Sequence, residues 1–240
     1  TPNLEKTGRR LGLGSLSSFI EQLDWVGILM LLAGAAVSLV CITVHELSHG
    51  LTAYRLGDPT AKVNGRLTLN PLAHIDPVGL LMMLTVRVGW AKPVPVDMRN
   101  FQKPKRDMAL TALAGPVSNF LLALGMLGLG SLLYRFAPDG QPLAYALFFC
   151  CYAAVLSVGL GLFNLLPVPP LDGSKILFSL LPDRMYGTVL RYERYFILAV
   201  VLLAWTGLFS GPLSWCMEQI LWGMCQLTRF PFRIVEYYFF

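Results

Sequence analysis

His45-Glu46-Leu47-Ser48-His49 is the stretch of this chain best equipped for chemistry. On a helix, positions i and i+4 share a face, so His45 and His49 can grip one zinc ion while Glu46 reaches a water on it. Two of the chain's three histidines lie within these five residues. Catalytic zinc takes three protein ligands and leaves a fourth position open. The third ligand must be Asp, Glu, His or Cys, and Asp172, His74 and Cys41 are the candidates. Asp172 stands first, because it follows an apolar span and a Pro-rich turn that would break the helix and aim a carboxylate inward. His74 sits in Asn70-Pro71-Leu72-Ala73-His74-Ile75-Asp76-Pro77, a turn-rich loop where an ordinary hydrogen-bonded histidine is the simpler reading. Cys41 shares the helix face of His45 but reads as a small packed hydrophobe. Glu46 is the expected general base, taking a proton from the water and passing it to a leaving amine.

The elements that must position these groups are membrane spans. The chain is 55% hydrophobic and 14% charged, with a mean hydropathy of +0.59, whereas soluble domains carry about 25% charged residues. An all-α polytopic membrane protein is predicted. Four apolar runs are long enough to cross a bilayer, at about 25–54, 108–134, 143–171 and 195–214. A shorter one at 215–227 carries Glu218 and either crosses or lies at the interface, so four to five helices are expected around a three-helix core. Between the first two spans, runs such as 79–88 and 93–96 favour short extended or re-entrant segments. Residues 1–24 form a polar or amphipathic segment that does not read as a cleavable signal peptide. Residues 25–180 form the core, and 181–240 a C-terminal spanning and interfacial part.

Basic residues orient the spans. The first loop holds Arg55, Lys62, Arg66, Arg87, Lys92, Arg99, Lys103, Lys105 and Arg106. The second holds only Arg135, and the third Lys175, Arg184, Arg191 and Arg194. Cytoplasmic loops collect Lys and Arg, so loops one and three are expected in the cytoplasm. His45 to His49 at the end of span one and Asp172 at the end of span three then meet at one depth. The net charge of +5 is scattered among these loops without a nucleic-acid-binding motif, so no nucleic-acid partner is expected. The cysteines show no Cys-x-x-Cys spacing, which argues against a disulfide framework or zinc knuckle.

The His45–His49 motif, together with Asn164-x-x-Pro167-x-x-Pro170-Leu171-Asp172-Gly173, resembles the site-2 protease family of intramembrane zinc metalloproteases. Ala114-Gly115-Pro116-Val117-Ser118-Asn119 is similar to that family's Gly-x-x-x-Asn element. The likeness covers about 25–180. It implies one zinc per chain on His45, His49 and Asp172, with Glu46 as base and with Asn119 and Asn164 holding the substrate backbone or the oxyanion. It also implies an endopeptidase that cuts transmembrane segments or signal-peptide remnants in a bacterial cytoplasmic membrane, near the cytoplasmic face. The segments between spans are too short for a PDZ or nucleotide-sensing domain, as in the minimal subgroup, whose loop His74 also resembles. The rival reading is a zinc-binding membrane protein without catalysis, a metal transporter or sensor. Glu46 counts against it, because transport needs ligands but no proton shuttle beside them.

Overall fold

The computed structural model describes residues 25–79, 92–182, 206–207 and 210–240. The chain divides into two units, 1–36 and 37–240. The described part of the first is the uncharged beginning of helix α1, Trp25–Arg55. All that follows concerns the second. Next come the short helix α2, Thr60–Val63, and single helical turns at Pro71–His74 and Met98–Asn100. The long helices α3, Pro104–Phe136, and α4, Gln141–Asn164, are followed by α5, Asp172–Phe178, α6, Ser210–Thr228, and α7, Phe232–Phe239.

Three helices among the described residues are long and apolar enough to cross a membrane: Met30–Arg55, Pro104–Phe136 and Gln141–Asn164. Proline opens both later spans at a position whose N–H would have no helical partner anyway. The Asp107 carboxylate accepts the Lys103 N–H at 2.9 Å and ties down the start of α3. Leu121 and Leu132 on α3 are 64% and 57% exposed, which suits contact with lipid rather than water. The inner faces are lined with small residues instead. Ala123, Ala154, Ser157 and Gly161 let α3 and α4 approach closely, as spanning helices do where burial from water cannot drive association. Leu127, Val158, Leu221, Cys225, Phe230 and Val235 extend this core to α6 and α7.

Several expectations need revision. The third span ends at Asn164, not at 171, because Pro167, Pro169 and Pro170 cannot continue the helical ladder. Residues 93–96 form no strand. Pro93 and Pro95 lack N–H groups, and the N–H of Val94 between them is taken by a side chain of α1. Of the expected extended run 79–88, all beyond Gly79 lies outside the described residues, as do 1–24 and most of the expected fourth span at 195–214. The stretch 215–227 is part of α6, a helix of 19 residues with Leu221 and Cys225 buried in the core.

Candidate metal centre

His45 and His49 lie on one face of α1, with ring centroids 4.6 Å apart and ring planes at 88°. They are 4% and 9% exposed. Helix α3 passes behind them. The carbonyl of Thr111 accepts a hydrogen bond from His49 Nδ1 at 2.7 Å. A carbonyl can only accept, so the proton sits on Nδ1 and the lone pair on Nε2 points into the site. Asn119, fully buried on the same helix, places its amide 3.1 Å from His45 Nδ1. Its Oδ1 has no other partner among the described residues. With the amide turned over, Oδ1 receives Nδ1–H and the Nε2 lone pair of His45 is freed as well.

Gly115 explains how α3 comes so near. A Cβ there would lie 2.5 Å from His49 Nε2 and 2.7 Å from His45 Cε1. Only glycine leaves room for both rings. A second close approach brings in the third group. After α4 the chain turns twice, through the Val168 N–H to Leu166 O and Leu171 N–H to Val168 O bonds, and enters α5 at Asp172. A Cβ on Gly173 would overlap the Leu165 and Leu166 carbonyls, so the Asp-Gly pair lets α5 fold back against the end of α4.

The result is a convergence of three ligand-type atoms. Asp172 Oδ2 lies 3.1 Å from His45 Nε2 and 3.1 Å from His49 Nε2. Zinc bonds of about 2.0–2.2 Å in a tetrahedral site give ligand separations of about 3.3–3.6 Å, only slightly wider than these. The donor set therefore fits a metal ion: two imidazole lone pairs and one carboxylate, all buried, with their outer atoms held by Thr111 and Asn119. Asp172 Oδ1 faces the Lys175 ammonium at 3.7 Å, leaving Oδ2 to the histidines.

The remaining candidates are placed elsewhere. His74 is buried, but its Nε2 bonds the Thr68 carbonyl at 3.0 Å, and it is not part of the convergent group. Cys41 packs against α4, its sulfur 3.9 Å from the Ala153 carbonyl. Asn164 donates to Leu160 O one turn back in its own helix at 2.9 Å. Glu46 turns one carboxylate oxygen to the Val94 N–H at 2.8 Å. Thr111 and Val94 escape sequence reasoning because each acts through a backbone atom. Lys175 could have been found by its position one turn beyond Asp172.

Removing the third ligand should be far more damaging than removing the loop histidine. Asp172→Ala is expected to lower zinc content below about a tenth of wild type, a first-contact loss exceeding the 10–100-fold typical of outer partners. His74→Ala should retain most of it. Metal analysis of the purified proteins checks this, and equal losses would overturn the ligand assignment.

The sequence profile described as Peptidase family M50 matches residues 137–206. The chain is 41% identical over 197 residues to "Putative zinc metalloprotease YwhC" of Bacillus subtilis, covering 80% of this chain and 84% of that protein. It is 30% identical over 209 residues to "Putative zinc metalloprotease Rip2" of Mycolicibacterium smegmatis, covering 85% and 76%. With the protein of the same name from Mycobacterium tuberculosis H37Rv it shares 33% over 209 residues, covering 83% and 77%. No solved structure matches the chain.

Proposed function

This chain belongs to peptidase family M50, and on that premise we propose that it hydrolyses peptide bonds in or beside transmembrane segments of other membrane proteins. It is a zinc metalloprotease and an integral membrane protein. One observation carries the finer reading: His45 and His49, buried on a membrane-spanning helix, meet Asp172 just beyond the end of another. Ionisable groups at such depth are costly and mark function.

His45, His49 and Asp172 would hold the ion, with Thr111 and Asn119 fixing the two imidazoles from behind. Zinc bound there would supply a Lewis acid for the scissile carbonyl and would lower the pKa of a water so that it can lose a proton and attack near neutral pH. Glu46 takes the proton and delivers it to the departing amine. Asn164, at the end of α4, is assigned to the substrate backbone or oxyanion. Asn119, assigned the same role by resemblance, has its amide against His45 and serves that ring first.

A helical substrate hides its peptide bonds and must unwind before it is cut. Segments with glycine or proline lose the least on unwinding. The proposed partners are therefore membrane proteins or signal-peptide remnants and the surrounding lipid, with no nucleic acid. The basic loops support a site toward the cytoplasmic face of a bacterial membrane, in keeping with the bacterial sources of the relatives named above. Quantitative membrane proteomics of cells carrying wild type or Glu46→Gln tests this. Cleavage fragments of membrane-anchored proteins should vanish in the variant, and identical fragment sets would contradict the proposal.

A further inference from the structure

Arg66 is 8% exposed, and among the described residues no carboxylate stands within ion-pair distance of it. A buried guanidinium without a counter-ion is costly unless its N–H groups are used. Here those of the two Nη atoms are spent on main-chain carbonyls, while the buried Nε has no partner among the described residues. Nη1 donates to Ala73 O, and Nη2 donates to Lys92 O at 2.7 Å and to Pro93 O at 3.3 Å. The Lys92 N–H in turn donates to His74 O at 2.9 Å. The start of segment 92–97 is thus clasped to the chain that follows α2.

The far end of the segment is fixed separately. Asp58, buried just beyond α1, accepts the Asp97 N–H at 2.8 Å and Asn100 Nδ2 at 2.7 Å. Between these anchors Val94 is 7% exposed and lies against α1 at Gly50, where an added Cβ would come 3.0 Å from Val94 Cγ1. Its N–H points to Glu46 Oε2 at 2.8 Å. Pro93 and Pro95 flank it, so Val94 carries the sole main-chain donor of this tripeptide.

We propose that Arg66 is a positioning residue for Glu46, holding residues 92–97 so that the Val94 N–H orients one carboxylate oxygen and leaves the other for proton transfer. This rests on Glu46 acting as the base. A glutamate side chain has three rotatable bonds, and an error of about 1 Å in a reacting group can cost 100-fold in rate. One directed N–H at 2.8 Å removes much of that freedom. The fork of Arg66 reaches three carbonyls at once, which a lysine ammonium cannot reproduce with the same geometry.

The test uses the full chain purified in detergent, with zinc content, amide hydrogen exchange over 92–97, and turnover of a fluorogenic apolar peptide of about twenty residues. Arg66→Met should keep its zinc, speed exchange of the segment, and lower kcat by about 10–100-fold with KM little changed. Arg66→Lys should recover part of both exchange protection and kcat. A role in stability alone would instead lower zinc, folded fraction and activity together, and that outcome overturns the proposal, as does unchanged kcat in folded Arg66→Met. Where Arg66→Met fails to accumulate, Arg66→Lys decides by the same readouts. Faster Val94 exchange in Glu46→Ala is expected, and unchanged exchange there also overturns the bond. Undiminished turnover by Glu46→Gln would instead remove the protease reading, so the two failures are distinguishable.

Discussion

Glu46→Gln should bind about one zinc per chain, as wild type does, while hydrolysing peptide at least ~100-fold more slowly. The glutamine side chain has nearly the same shape, and its amide oxygen can still accept the Val94 N–H now bonded to Glu46 Oε2. None of the three convergent ligand atoms belongs to Glu46, so the metal should stay. What disappears is the ability to take up and release a proton. Zinc analysis and turnover on the same preparation check both halves. Retained activity would remove the proposed base, and retained zinc transport with no hydrolysis in wild type would favour the transporter reading.

Gly115→Ala should be nearly as damaging, by a different route. The new methyl would stand 2.5 Å from both Nε2 and Cε1 of His49 and 2.7 Å from Cε1 of His45. Neither ring can simply move aside. His49 is tied to Thr111 O and His45 faces Asn119, so relieving the clash must break one of these bonds or push α3 away from α1. Loss of an outer partner alone typically costs 10–100-fold in metal affinity. Displacing both imidazoles should cost at least that, and zinc affinity should fall by ~100-fold or more. Gly125→Ala on the same helix is the control. A Cβ there meets nothing among the described residues within 4 Å, and alanine favours a helix over glycine by about 1 kcal/mol. Its zinc affinity should be unchanged, and equal behaviour of the two variants would show that the close approach at Gly115 is unimportant.

The sequence disclosed the metal centre through side chains whose chemistry has few other uses. His45, His49 and Asp172 stand out because charged and ionisable groups are rare in so apolar a chain, and the basic loops lead one to expect the ends of their spans at the same depth. The first three spans are legible from length and lack of charge, although the third ends before its prolines rather than running through them. Residues 93–96 looked like a strand because valine favours one. Their actual role comes from tertiary contacts that no local pattern encodes: Arg66 and Asp58 anchor the ends, and Glu46 takes the middle N–H. Thr111 was invisible for a related reason, since any residue with a carbonyl at that turn could hold His49. Gly115 and Asn119 were recognisable as a motif, but their work became clear only once the structure placed one beneath both rings and the other against His45.

The central claim, that this zinc metalloprotease cuts within membrane segments through Glu46, is tested most directly by mapping the scissile bond. Wild type and Glu46→Gln would each be reconstituted in liposomes with a transmembrane peptide of about twenty apolar residues containing a central glycine and flanked by polar tails. Intact-mass spectrometry of the products identifies the bond. The account predicts cleavage inside the apolar stretch by wild type, abolished by a zinc chelator and by Glu46→Gln. Cleavage confined to the polar tails, or cleavage by Glu46→Gln at the wild-type rate, would contradict it.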